Sequence, residues 1–204
     1  MGERYLQQGP LAHLHLAARA APTVPDDAGV TLAQPARRGM VGLRGRAGDA
    51  GFRDAAQRIL GLGLPTEPNS TAASAGVTAF WLGPDEWLIA TAPDRAAGLV
   101  AGLREALAGQ HHAVLDLSSA RATIAVAGAH ARDVLAKGCP LDLHPRAFTA
   151  GDCAQSHYGK AAVLLYQADD TPIYHLTTAR SFAEYLWLRL EDAAQEYGCA
   201  VVPG

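Results

Sequence analysis

RATIAVAGAHARDVLAKGCPLDLHPRAFTAGDCAQSHYGKAAVLL, residues 121–165, decides how the rest of this chain is read. It opens on a strand-like alternation, with Ile124 and Val126 on one face, and breaks at Gly128. Ala131, Val134 and Leu135 then fall at helical spacing, and Gly138 closes that helix. A Pro-bounded turn follows, Cys139-Pro140-Leu141-Asp142-Leu143-His144-Pro145, before the chain returns to strands. Strand, glycine, short helix, rigid turn and hairpin describe one α+β unit.

Read backwards from Arg121, the same grammar appears a second time. Residues 40–45 form a strand ending at Gly45, and a helix spans residues 50–60 with Phe52, Ala56, Ile59 and Leu60 as its apolar stripe. Two runs, residues 78–82 and 86–90, flank Gly83-Pro84-Asp85 and predict a hairpin. A helix over 94–108 follows, with Asp94 as its N-cap and Leu99, Leu103 and Leu107 on one face. The short run 113–117 is the next strand. Forward of Leu165, residues 160–167 and 172–178 make another hairpin. Ser181 and Glu184 then set a capping box for a helix reaching Tyr197, and residues 200–202 add an edge strand. The expected fold is therefore α+β: two related strand–helix–hairpin–helix units packed as one body. Their expected limits are 37–112 and 113–204, preceded by a Pro-punctuated arm, 1–36, that is loose until it meets a partner.

Bulk properties narrow the function. The chain has 204 residues, 49% of them hydrophobic and only 18% charged, which is less charge than the quarter usual in soluble proteins. Sparse charge implies exposed apolar area of the kind found at partner surfaces. A net charge of −3 and a pI near 6.2 give no electrostatic case for nucleic acid. No apolar run has the length to cross a bilayer, and the N-terminal segment, interrupted by His13 and His15, does not read as a signal peptide. Three cysteines, Cys139, Cys153 and Cys199, include no CxxC pair, which suits a reducing cytoplasm.

Chemistry-bearing residues concentrate in the opening stretch. Cys139, His144, Cys153 and His157 offer the sulfur and nitrogen that tetrahedral zinc prefers, but their spacing fits no finger or ribbon. Buried thiols and turn histidines are the preferred reading. A nucleophilic Cys139 is disfavoured although Lys137 is near, because the C-terminal end of a helix raises a thiol pKa. Ser118, Ser119 and Ser156 lack the turn that exposes a catalytic serine. Gly61-Leu-Gly63 closes a helix instead of opening one, so it is no phosphate cradle. Phe80, Trp81, Trp87 and Tyr158 are better suited to a core than to a flat ligand. Arg121 and Lys137 are candidates for holding a carboxylate, and Asp142 is a lone carboxylate in a rigid turn. These residues do not add up to a self-sufficient catalytic set.

One family resemblance extends that reading. The run DLSSARATIAVAGAHARDVLAKGCPLDLHPRAF, preceded by WLGPDEWLIA and followed by RSFAEYLWLRLEDAAQEYG, resembles the gamma subunit of heterotetrameric sarcosine oxidase from about Leu11 onward. LAKGCPLDLHPRAF and RSFAEYLW carry the specificity. More distantly, Asp-x-Ser, strand, Gly, helix and the Leu-Asp-Leu turn look like the aminomethyltransferase (glycine-cleavage T-protein) folate-binding fold. The resemblance implies a subunit of a complex that oxidatively demethylates sarcosine to glycine, forming hydrogen peroxide and 5,10-methylenetetrahydrofolate. It places FAD, FMN, NAD and tetrahydrofolate on the alpha and beta subunits, zinc on the delta subunit, and no cofactor on this chain. The alpha subunit is then the most direct partner. Asp142 would occupy the place of a folate-facing aspartate, yet the Arg-x-Gly-Tyr-Thr-Gly-Glu run that accompanies it is missing. Asp142 is accordingly read as a remnant or a turn anchor. The alternative is a stand-alone folate-binding or one-carbon-transfer protein.

Overall fold

Alternation in the strands decides the layering. The computed structural model describes residues 8–204. In chain order the elements are α1 (Leu16–Arg19), β1 (Val30–Ala33), β2 (Gly39–Gly45), α2 (Ala50–Leu60), β3 (Thr71–Ser74), β4 (Val77–Gly83), β5 (Glu86–Thr91), α3 (Ala96–Ala106) and β6 (His112–Asp116). The second half continues with β7 (Arg121–Ala127), α4 (Ala131–Ala136), β8 (Cys153–Tyr158), β9 (Ala161–Gln167), β10 (Ile173–Ala179), α5 (Ala183–Ala194) and β11 (Cys199–Val201). A five-stranded sheet runs β3-β4-β5-β2-β6, and a six-stranded sheet runs β11-β1-β7-β10-β9-β8.

In β2 and β5, Val41, Leu43, Trp87 and Ile89 face α2 and α3, forming one core with Phe52, Leu60, Leu99 and Leu103. Their in-between neighbours Met40, Leu88 and Ala90, joined by Phe80, face the other way and meet Cys153 and Leu164 of the larger sheet. On that sheet's far face, Ile124, Val126, Leu165 and Leu176 pack against Val134, Leu135, Leu186 and Leu190 of α4 and α5. The order is helices, sheet, sheet, helices. Each fully buried Leu or Ile in these layers contributes roughly 1.5–3 kcal/mol relative to exposure.

Element by element the halves match. β2-α2-β3-β4-β5-α3-β6 has the order of β7-α4-β8-β9-β10-α5-β11, and the sheets stack their strands in the same sequence with one exception. In the larger sheet β1 stands between β7, to which it is antiparallel, and β11, to which it is parallel. The smaller sheet has no such insert, and β6 pairs directly with β2.

The structure corrects the expectation in four places. The segment expected to be a loose arm supplies β1, and its Val30 and Leu32 are wholly buried, because strands on both sides satisfy its backbone. The strand expected at 113–117 to open the second unit is β6, residues 112–116, and it closes the first sheet instead. Asp94 makes no cap: it lies inside a 3-10 turn, Pro93–Arg95, and α3 starts only afterwards. Likewise a 3-10 turn at Arg180–Phe182 delays α5 to Ala183, so Ser181 sits too early to cap and Glu184 approaches His13 Nε2 at 3.2 Å. By contrast α2 spans the residues expected, with Asp49 Oδ1 accepting from the Gly51 and Phe52 amides and Gly61 ending it at φ 73°.

The β2–α2 and β7–α4 turns both use glycine, for different reasons. A Cβ on Gly45 would lie 2.1 Å from the Phe52 ring, so close packing excludes it. Gly128 has φ 111°, and a Cβ there would meet the Gly29 carbonyl oxygen at 2.5 Å. Gly29 leads into β1, so the inserted strand is what crowds this turn.

Candidate functional site

The turn after α4 gathers the residues with the most chemical potential, and each is engaged by its own backbone or by a neighbouring element. Asp142 Oδ1 accepts from the His144 amide at 3.0 Å, the short-range bond by which an aspartate holds a turn, and Arg146 lies 3.7 Å from its other oxygen. His144 Nδ1 in turn accepts from the Arg146 amide at 3.2 Å. Cys139 is buried, its thiol 3.7 Å from Ser156 Oγ. Lys137 donates to the Ala193 carbonyl at 2.6 Å, pairs with Glu196 and lies over the Tyr197 ring. That cation ties α4 to the carbonyl end of α5, where positive charge is favoured.

Cys153 and His157 share a face of β8 by parity, but they occupy unlike surroundings. The Cys153 thiol is sealed between the sheets and donates to the Ser70 and Trp81 carbonyls at 3.4 and 3.6 Å. Burial pushes its pKa up to about 12, against the lowering effect of the Trp81 contact, so it stays protonated near neutrality. His157 is exposed. Cys139, His144, Cys153 and His157 do not converge, and no group of three or more His, Cys, Asp or Glu able to hold a metal occurs among the described residues.

The aromatics distribute over three cores. Trp87 is wholly buried beneath α2, with Nε1 donating to the Pro65 carbonyl at 2.8 Å and its ring 5.8 Å from Phe52. Phe80 meets Tyr166 edge-on between the sheets, and Tyr158 donates to the Val134 carbonyl on the far side of the larger sheet. Trp81 is half-buried on β4. They form no single aromatic pocket.

Open space lies elsewhere. Between the sheets, Met40, Phe80, Leu88, Leu164, Tyr166 and His175 border a cavity of about 180 Å³. Thr123 and Thr177 bridge side chains at 2.9 Å along one wall. Burial, helped by the charge of Arg38, lowers the His175 pKa, so this ring is neutral at pH 7. Where the chain crosses from one sheet to the other the cavity gives way to a crevice of about 500 Å³, lined by Arg37, Arg38, Arg121 and Arg180 together with Ser118 and Ser119. Asp142 borders neither space. Sequence reasoning named Arg121 and missed the other three. The adjacent pair Arg37-Arg38 after Pro35 is the signal that was there to find.

Comparison with known proteins gives a uniform result. The sequence profile of the sarcosine oxidase, gamma subunit family matches residues 44–196. A sarcosine oxidase subunit gamma from Corynebacterium sp. (strain U-96) is 35% identical over 198 residues, covering 97% of this chain and 94% of that protein. Another, from Arthrobacter sp., is 36% identical over the same shares. Among solved structures, a chain of heterotetrameric sarcosine oxidase from Corynebacterium sp. U-96, in complex with pyrrole 2-carboxylate, superimposes with a TM-score of 0.85. The identity is 34%, over 96% of this chain and 98% of that chain. Glycine cleavage system aminomethyltransferase T from Bartonella henselae gives a TM-score of 0.68 at 16% identity, over 97% of this chain and 60% of that one, a likeness of fold.

Proposed function

This chain belongs to the sarcosine oxidase, gamma subunit family, and from that premise we propose that it is a non-catalytic structural subunit of a heterotetrameric sarcosine oxidase. The observation that carries the reading is similarity along the whole chain, 35% identity over 97% of it, to a protein that is itself a gamma subunit. The reaction of the assembly is the oxidative demethylation of sarcosine to glycine. On this reading FAD, FMN, NAD, tetrahydrofolate and zinc sit on the companion subunits, the alpha subunit is the direct neighbour, and the assembly is cytoplasmic. No helix among the described residues is long and apolar enough to cross a membrane.

The geometry supports a supporting role. Asp142, Cys139, Cys153 and His144 each hold backbone or neighbouring side chains in place. Positioned catalysis needs several groups converging on one reacting atom, and these do not converge. A stand-alone folate-binding role would need Asp142 to face a pteridine. Its carboxylate instead holds the His144 amide and borders neither the inter-sheet cavity nor the crevice, so the folate-fold likeness carries no catalytic step here.

The test is co-expression with the other subunits from the same cell. The tagged chain is expected to bring down a flavin-coloured assembly, and its melting temperature is expected to rise when the partner is added, since binding to the folded state stabilises it. Turnover of sarcosine by the purified chain alone, or quenching of its tryptophans by tetrahydrofolate, would overturn the reading.

A further inference from the structure

Two depressions adjoin on the surface, and an exposed aromatic stands two residues along the chain from an arginine that lines both. The crevice of about 500 Å³ carries four arginines and, among the described residues that line it, no carboxylate. A second depression of about 660 Å³ adjoins it, sharing Gln8, Gly9, Pro10, Ser119 and Arg180. The two form a trough along the junction of the β1–β2, β6–β7 and β10–α5 connections. Among the described residues, two carboxylates stand next to its lining: Asp116, tied to the Ser118 amide and facing Arg37, and Glu184, paired with His13. Among the described residues, four guanidinium groups stand against these two carboxylates, a local excess of positive charge on a chain whose net charge is −3. A concave wall of one sign focuses the field at its centre.

Fixed positions in the fold enforce that excess. Arg180 donates to the Gln8 carbonyl at 2.7 Å, and Arg37 reaches Ser119 Oγ at 3.4 Å. Arg38 acts electrostatically on Tyr166 and His175 at the back wall. Arg121 projects from the start of β7 and is exposed. Two residues beyond Arg180, Phe182 is 40% exposed although it is a large aromatic. Arginine beside an exposed aromatic is the composition of a protein interface, where both residue types are enriched. All four arginines are solvent-facing and spread along a trough, which fits an extended polypeptide better than one enclosed small anion.

We infer that this arginine trough is the docking surface for a carboxylate-bearing segment of a partner subunit, with Phe182 as its apolar anchor. The inference rests on the subunit reading above and adds where, and through which chemistry, the contact is made. Guanidinium forks pair with carboxylates bidentately, which gives geometric selectivity as well as attraction.

The experiment uses the full chain co-expressed with its companion subunits, and measures assembly against salt. Wild type is expected to assemble, with affinity falling as ionic strength rises. Arg121→Glu is expected to weaken assembly roughly tenfold or more while leaving the melting curve of the isolated chain unchanged; adding Arg180→Glu, which also removes the bond to the Gln8 carbonyl, is expected to weaken assembly further. Arg121→Lys keeps the charge and is expected to recover most of the loss. Phe182→Ser tests the anchor without touching charge and is expected to weaken assembly with little change in salt dependence. Tripolyphosphate, at constant ionic strength, is expected to compete with wild-type assembly. Failure of wild type to assemble at any salt sinks the subunit reading itself. Wild-type affinity in folded Arg121→Glu, with salt-independent assembly, sinks the inference and leaves that reading standing.

Discussion

The two sheets share one plan and differ by one strand. The smaller sheet is built from the single segment 39–116, and every strand in it pairs with a neighbour from that segment. The larger repeats the plan with 121–201 but admits β1, drawn from far upstream, between β7 and β11. The insert separates β11 from β7, crowds the Gly128 turn against Gly29, and leads through residues 34–38 to the wall of the arginine trough. The duplicated plan thus supplies the scaffold, while the departure from it builds the surface that distinguishes one end of the molecule.

The largest effect expected from breaking this difference falls on β1. Leu32 is fully buried at the centre of the inserted strand, so Leu32→Ala leaves a cavity and is expected to cost about 2–5 kcal/mol in urea unfolding. Val24, from the same N-terminal segment, is 52% exposed, and Val24→Ala is expected to stay within about 0.5 kcal/mol. Equal effects at both positions would mean that the strand is not part of the stable sheet.

That contrast explains how much of the fold was legible. The helix at 50–60 and the hairpin at 77–91 follow from local signals, namely a 3.6-residue stripe closed by Gly61 and two β-rich runs around Gly-Pro-Asp. Residues 30–33 carry no such signal. Val-Thr-Leu-Ala between Pro25 and Pro35 is too short to show a period, and its strand identity is conferred by β7 and β11, both remote in sequence. The same holds for the trough. Arg37, Arg38, Arg121 and Arg180 lie on separate connections and become one feature only where the chain passes between sheets. The cap residues fail for a local reason instead, because a 3-10 turn ahead of each helix shifts its start beyond Asp94 and Ser181.

A smaller effect separates the two helix-covered cores. Each holds one wholly buried tryptophan, Trp87 in the first and Trp187 in the second. Trp87 Nε1 donates to the Pro65 carbonyl, whereas Trp187 Nε1 is buried with no hydrogen-bond partner among the described residues. Trp→Phe removes ring area in both. At 87 it also strands a buried carbonyl, while at 187 it removes a donor that was already unsatisfied. Trp87→Phe is therefore expected to cost about 1–3 kcal/mol more than Trp187→Phe, measured by chemical unfolding followed by far-UV circular dichroism. Equal costs would place a hidden acceptor beside Trp187.

The smallest effect tests the seam where the halves meet. His175 lies on the inner face of β10, its ring stacked at 6.1 Å on Tyr166. Burial chiefly, and then Arg38, hold its pKa below the ordinary 6.5, while Asp169 opposes them. Above that value the ring is neutral in both folded and unfolded chains and adds no pH dependence. Below it the unfolded chain takes up the proton first, so stability falls as pH falls from 6.5 toward the lower folded pKa. His175→Gln, which cannot titrate, removes that part of the slope. The stability difference between wild type and variant is therefore expected to be constant above pH 7 and to shift against wild type as the pH drops. Parallel curves across the range would mean that water reaches the ring, and that the two sheets close on each other less tightly there than each closes on its own helices.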